Sequence, residues 1–394
     1  MSVAALLTID EALERVLAHT RPLPAEDVPV VEAAGRVLAA DATARVDLPP
    51  FDSSAMDGYA VRAADTPGTL RVVGQSAAGR PATEAVRAGT AVGISTGAVV
   101  PEGADAVVPV ERTEGDGDAV RVEAVAPGAN VRPRGGDTRA GEVVVAAGTL
   151  VGPTQVGALV SAGVESVPCA RTPRVALLAT GSELRRPGEP LGPGQIYESN
   201  TVMLAAQLRR AGADARLLGA VADDEDETRA ALARGLEADV LLTSGGVSVG
   251  PHDLVRPLLA ELDVAEVFWG VAVKPGKPLS FGTRNGTLVF GLPGNPVSSL
   301  VGFELFVRPA VMALQGAREP RPAFLPGRLA AALRRNPARD ELVRARLGPG
   351  AVLEPVTGQE SHMIARAASA AALVLVPRGD GELAAGADVS WLPL

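Results

Sequence analysis

The stretch Arg174-Val175-Ala176-Leu177-Leu178-Ala179-Thr180, followed at once by Gly181-Ser182-Glu183, decides how this chain is read. Its apolar run shows no period-two alternation and ends abruptly in glycine and acid, as expected of a strand buried on both faces that delivers a polar loop. Downstream the pattern repeats with helices between. A helix over 199–212 is expected, with Asn200 as N-cap and Gly212 as the residue that closes it. Strand 215–221, an acidic loop, helix 223–236, strand 239–246, helix 252–262 and strand 264–273 follow. Arg284-Asn285-Gly286 then marks a hairpin between 278–283 and 287–292, and Leu292-Pro293-Gly294-Asn295-Pro296 opens a long helix over 297–316. Strands alternating with helices of this length predict a doubly wound α/β sheet, whose ligands sit beyond the carboxyl ends of the strands.

Upstream the pattern changes. Residues 8–20 predict an amphipathic helix with a Thr8/Glu11 capping box, and 26–43 a short strand followed by a helical turn or two. Residues 44–141 hold short β-like runs separated by Gly, Pro and Asp, an all-β module, and 152–163 a short helix closed by Gly163. After 320 the chain is arginine-rich, then strand-like, and 321–394 predict a small β-barrel or sandwich. There is no 20-to-50-residue repeat. Fold class is therefore multidomain α/β plus β.

Composition narrows the function. The chain has 394 residues, 37 Lys and Arg against 46 Asp and Glu, a net charge of −9 and 3% aromatics, which argues against a general nucleic-acid binder. One cysteine, Cys169, and three histidines exclude an intrachain disulfide and make a structural zinc site a poor fit, while a reducing cytoplasm suits them. The first residues lack the basic start of a signal peptide, and the apolar stretch near 300–315 is broken by Glu304 and Arg308, so no membrane span is expected.

Three loops at the expected carboxyl edge carry acids: Thr180-Gly181-Ser182-Glu183, Asp223-Asp224, and Ser244-Gly245-Gly246-Val247-Ser248 leading to Asp253. Asp224 reads as a helix cap. Carboxylates gathered beside a glycine turn repel a phosphate unless a cation intervenes, and Mg²⁺ suits oxygen ligands that bridge to phosphates. The spacing matches neither the P-loop nor the dinucleotide fingerprint. Lys274 and Lys277, on a proline-stiffened loop, form a cationic spot for an oxyanion, a solvated turn being the plainer alternative. In the β module, Asp52 and Asp57, Ser95-Thr96-Gly97 and Arg132-Pro133-Arg134-Gly135-Gly136-Asp137 are unusually polar for plain hairpins. No Ser-His-Asp or Cys-His set can be assembled; His19 and His252 belong to helix ends, and His362 stays an open candidate.

Together these segments resemble the molybdopterin molybdenumtransferase family, which includes the E domain of gephyrin. FDSSAMDGYAV, GISTGAVVPEGADAVVPVE, NVRPRGGDTRAGE, LLATGSEL, YESN, LLTSGGVSVGPHD, VKPGKPLSFG and GLPGNPVSSLVGFELFVRP occur in the family's order across residues 48–310. The resemblance implies a cytoplasmic homodimer of four-domain protomers. An α/β molybdopterin-binding domain would take 7–25 with 173–320, a connecting domain 26–43 with 142–172, a β-rich module 44–141, and a C-terminal β-barrel 321–394. It implies insertion of molybdate into adenylylated molybdopterin with Mg²⁺-dependent release of AMP, alongside other molybdenum-cofactor biosynthesis proteins.

By motif match, Glu183, Asp223 and Asp253 would serve Mg²⁺ or the adenylyl phosphate. Thr180, Gly181, Ser244, Gly245, Gly246 and Ser248 would line the pterin-nucleotide pocket, and Pro293 and Pro296 its wall. Lys274 and Lys277 would neutralise phosphate or molybdate, while Asp57, Thr96, Arg132 and Asp137 would arrive from the facing subunit. The chain departs from the pattern at Gly270, where relatives often carry a basic residue, and at Gly136, where they often carry Glu. Two rival readings remain: the sister enzyme that adenylylates molybdopterin, and a non-catalytic scaffold on the same fold.

Overall fold

A computed structural model describes residues 6–115, 117–222, 224–246 and 254–394. Arg174–Thr180 forms β1, the second strand of a six-stranded sheet. The helix α1 (Ile9–Ala18) precedes it, started by the expected Thr8/Glu11 capping box. After β1 come α2 (Asn200–Arg210), β2 (Asp214–Val221), α3 (Glu225–Gly235), β3 (Val240–Ser244), α4 (Val255–Glu261), β4 (Ala265–Trp269), β5 (Ser280–Arg284) and β6 (Thr287–Leu292). The strand order is β2-β1-β3-β6-β5-β4, with β2, β1, β3 and β6 mutually parallel and β5 antiparallel to both its neighbours.

Why β1 is apolar throughout follows from its two faces. Val175 and Leu177 pack with Leu204 and Leu208 of α2 on one side. Ala176 and Leu178 pack with Ala231 and Leu232 of α3 and Leu258 of α4 on the other. Successive side chains point to opposite faces, so burial on both leaves no position for a polar residue. The winding across the sheet, not the strand direction, reverses between β1 and β3, because β1 leads outward to β2 while β3 leads toward the β6 side. That makes the β1/β3 edge the topological switch point, where an open α/β sheet leaves a crevice.

Two expectations are corrected here. The strand read over 264–273 stops at Trp269, because Gly270 at φ 89° turns the chain. Val273–Lys274 then pairs in parallel with Asp340–Gly348 of the C-terminal segment. The long helix is α5 (Pro296–Gly302) and α6 (Arg308–Leu314) joined by a π turn, Phe303–Val307. Arg308 N bonds Phe303 O, and Pro309, which has no N–H, follows immediately. This helix is long and apolar enough to cross a membrane, yet 83% of its most apolar window is buried in the fold, as a core helix would be.

The other cores surround this sheet. Ala25–Pro29 pairs antiparallel with Ser166–Ala170, and Ala42–Thr43 with Val143–Val145, over a core that includes Val28, Leu38, Leu159 and Cys169. Between them, six strands over 58–122 form one sheet around Val61, Leu70, Val108 and Val120. At the C-terminus Asp340–Gly348, Val352–Pro355, Leu325–Leu329, Asp388–Pro393 and Ala372–Val376 pair in a closed ring, which is the barrel alternative of the two expected. Leu342, Leu373 and Leu392 of that barrel join the core under the α/β sheet, fixing one against the other.

Candidate functional site

A cavity of about 780 Å³ opens at the carboxyl ends of β1, β3 and β6. Thr180, Gly181 and Glu183 reach it after β1, Ser244, Gly245 and Gly246 after β3, and Pro293 and Pro296 after β6. These are the expected positions. The glycine turn is required by the backbone: Gly245 and Gly246 have φ of 93° and 64°, and a Cβ on Gly245 would lie 2.7 Å from Thr180 O. Only glycine takes such angles without strain, and the bare main chain leaves room for a ligand against the sheet edge.

Two polar groups in this wall stand without partners among the described residues. Thr180 Oγ1 is buried and unbonded. Glu183 brings a carboxylate that makes no hydrogen bond or ion pair there. Glu198, also on the wall, is occupied: it accepts from Thr201 N at 2.9 Å and Thr201 Oγ1 at 2.5 Å, and so caps α2.

Asn200 is a correction of role. The residue expected as the N-cap of α2 is its first helical residue, 7% exposed, with its side chain turned inward. Its Nδ2 donates to Ser244 Oγ at 2.8 Å and to Gly294 O at 2.7 Å, tying the end of β3 to the loop after β6. Asp224, by contrast, does cap its helix, accepting from Glu227 N at 2.8 Å. Asp223, Ser248, His252 and Asp253 lie outside the described residues. Among the described residues no three His, Cys, Asp or Glu form a metal-holding group.

The lysine loop is at the rim. Pro278 lines the cavity, whereas Lys274 and Lys277 do not. Lys274 Nζ meets Glu341 Oε1 at 3.0 Å, which also accepts from Asn336, so its charge is already balanced by the barrel. Lys277 is exposed and keeps its charge free of any ion pair among the described residues. The barrel supplies a wall that no local pattern announced. Asn295 Nδ2 donates to Ser361 Oγ at 2.8 Å and Val297 N to Ser361 O at 3.0 Å, and the next residues put His362 and Ile364 on the cavity surface.

The β-module residues form a second polar rim. Asp57 Oδ1 accepts from Thr96 N at 2.7 Å, Arg132 pairs with Ser53, Asp52 Oδ1 accepts from Arg134 N at 2.7 Å, and Asp137 N donates to Leu48 O. Beneath it, the Ala140 N–H and the Arg134 guanidinium hold the Asp47 carboxyl below its ordinary range. None of Asp57, Thr96, Arg132 or Asp137 lines the cavity of its own chain.

The description "MoeA N-terminal region (domain I and II)" matches residues 7–163, "Probable molybdopterin binding domain" matches 176–313, and "MoeA C-terminal region (domain IV)" matches 326–394. The chain is 40% identical to molybdopterin molybdenumtransferase 2 of Mycobacterium tuberculosis over 374 residues, covering 91% of this chain and 92% of that one. It belongs to the molybdopterin molybdenumtransferase family. A second member, molybdopterin molybdenumtransferase of Haemophilus influenzae, is 40% identical over 320 residues, 80% of this chain and 79% of its own. The solved molybdopterin biosynthesis moeA protein of Pyrococcus horikoshii OT3 matches with a TM-score of 0.86 at 31% identity, covering 99% and 100% of the two chains. Most of the cavity's lining, from Ala179 to Pro296, lies within the part matched as molybdopterin-binding, while His362 and Ile364 fall in the C-terminal match.

Proposed function

We propose that this chain transfers molybdenum to molybdopterin, inserting molybdate into adenylylated molybdopterin and releasing AMP. The observation that carries the reading is the cavity at the switch point, with its glycine turn, unpartnered Thr180 hydroxyl and unpartnered Glu183 carboxylate. The main chain at Gly245 and Gly246 can approach an oxyanion closely, and Asn200 holds the two loops that frame it. Thr180, Gly181 and Ser244 face the pterin nucleotide, with Pro293 and Pro296 as rigid wall, and Ser248 is assigned to the same pocket from its motif alone. Lys277 supplies a mobile cation at the rim for molybdate or phosphate, and Lys274, tied to Glu341, fixes the loop's position.

The donor set fits Mg²⁺. Glu183 and the Thr180 hydroxyl are hard oxygen donors without other partners among the described residues, and the sequence adds Asp223 in the acidic loop after residue 221 and Asp253 at the end of LLTSGGVSVGPHD. A bound Mg²⁺ would neutralise charge developing on the adenylyl phosphate as AMP leaves.

The second rim completes the site from a homodimeric partner. Asp57 accepts from Thr96, and neither they nor Arg132 and Asp137 line their own chain's cavity, whose mouth exposes Ile196 at 54% and Tyr197 at 45%. Such apolar exposure beside a polar pocket is what a second copy would cover. We assign the four domains to the segments expected from the sequence, and the enzyme to the cytoplasm beside other molybdenum-cofactor biosynthesis proteins.

The test is subunit mixing. Asp57→Asn and Glu183→Gln should each abolish AMP release from adenylylated molybdopterin with Mg²⁺ and molybdate. Mixed in equal amounts and allowed to exchange, they should recover about a quarter of wild-type activity, because half the dimers then hold one intact site of two. No recovery, with mixed dimers shown to form, would sink the shared site.

A further inference from the structure

Among the described residues Arg344 is the largest fully buried side chain, 0% exposed, and no carboxylate there is ion-paired with it. Its guanidinium donates to main-chain oxygens of one loop: Nη1 to Met363 O at 2.7 Å, Nη2 to Gly358 O at 2.7 Å and to Glu360 O at 3.2 Å. Gln359 closes the knot, accepting from Arg344 N at 3.0 Å and donating to Arg344 O at 2.9 Å and Val356 O at 2.7 Å. Taking a cation out of water to organise a single loop is costly, and an apolar side chain would fill a barrel wall more cheaply. The loop so organised is the one that Asn295 and Val297 dock through Ser361, and His362, exposed there as Glu360 is, lies on the cavity wall with Ile364.

We propose that His362 contacts the bound pterin nucleotide and that Arg344 is the positioning residue that presents it. The inference rests on the cavity being the pterin-nucleotide site. A planar fork reaching several carbonyls at fixed angles is a task for Arg that Lys, a single rotatable ammonium, does not perform. The imidazole can meet the ligand through a ring N–H or by lying against a heterocycle, and neither role needs the ring buried beforehand.

Three histidines make the test direct. In full-length protein labelled with ¹³C at histidine Cε1, the His362 resonance is identified by its loss in His362→Gln and followed while adenylylated molybdopterin is added. In wild type that resonance should shift saturably. In Arg344→Lys, and for substrate concentration dependence in His362→Gln, the midpoint should rise about tenfold, the worth of about one hydrogen bond, with single-turnover AMP release at saturation kept within about threefold. A merely structural arginine would lower the amount of folded protein without splitting affinity from rate in this way. Should Arg344→Lys not fold, Gln359→Ala, which keeps the guanidinium and removes one side of the knot, is held to the same standard. A His362 resonance that ignores substrate while AMP is released overturns the inference, as does a midpoint moved less than about twofold in both variants. A saturable shift in wild type without any AMP release leaves the inference standing and removes the molybdenum-transfer reading; neither binding nor release removes both.

Discussion

Removing the Asn200 side chain tests whether the cavity is a built site or a gap between loops. Asn200→Ala deletes two hydrogen bonds, of 2.8 Å to Ser244 Oγ and 2.7 Å to Gly294 O. Ser244 is 4% exposed, so its hydroxyl loses its partner with little water to replace it. At about 1 kcal/mol net per bond, rising where a buried group is left unmatched, the loss should be about 2–4 kcal/mol. Asn200→Asp keeps the shape but sets a carboxylate oxygen against the Gly294 carbonyl, so it should cost at least as much. Urea titration followed by tryptophan fluorescence measures both. A cycle with Ser244→Ala isolates that bond, whose coupling should be about 1 kcal/mol. Because Ser244 and Gly294 line the cavity, the affinity for adenylylated molybdopterin should fall in step with stability. Additivity in the cycle to within about 0.3 kcal/mol, with affinity unchanged, would refute the idea that this amide sets the wall.

Burial alone would raise the Asp239 carboxyl, but the Arg171 side chain at 2.6 and 2.7 Å, the Arg174 N–H at 2.8 Å and both positive charges hold it below its ordinary value. A depressed carboxyl stabilises the fold fully above the unfolded value of about 3.9 and loses that contribution as pH falls through the folded one. Asp239→Asn should therefore cost about 2–3 kcal/mol at pH 7 and much less at pH 3, read from urea midpoints at the two pH values; equal losses at both would contradict the ion pair. Gly103→Ala puts a Cβ 2.2 Å from Val86 O at φ 85°, whereas Gly89→Ala at φ 74° meets nothing within 4 Å. The second should lose about 1 kcal/mol from backbone strain alone and the first clearly more, compared by the same titration.

Much of this could be read in advance because the signals are local. A strand buried on both faces writes a continuous apolar run, so 174–180 announced β1 at nearly its true bounds. Asn285-Gly286 announced the hairpin through the positive φ values of 50° and 90° that the tight turn requires. The failures have one cause: a pattern that two structures share. The apolar residues over 271–273 continue the rhythm of β4, yet Val271 bridges Leu7 and Val273 pairs with the strand at 340–348, partners far along the chain that no local pattern shows. Asparagine at a helix start looks like a cap whether its amide turns to the helix or to a neighbouring loop. The wall built by 358–364 left no local trace, since what fixes it is a buried arginine from a different strand. The π turn did leave one, in Pro309, because a proline inside a helix removes a donor wherever it stands.

The charge of the cavity constrains how its ligand is held. Glu183 and Glu198 line it, and no lysine or arginine does among the described residues. On the proposed function, an anionic pterin nucleotide entering that wall is repelled until a cation from outside the lining joins it, such as Mg²⁺ or the Lys277 side chain at the rim. Two unit charges about 6 Å apart at an effective dielectric constant of about 40 repel by about 1.4 kcal/mol, a factor of about ten in affinity. Glu183→Gln should thus bind adenylylated molybdopterin about tenfold more tightly than wild type in EDTA. With Mg²⁺ restored the order should reverse, since the variant has lost an oxygen donor for the metal. Equilibrium binding in the two buffers decides it. If the variant binds more weakly in both, Glu183 serves the nucleotide as a hydrogen-bond acceptor, and the cation is not needed to explain why an acid stands there.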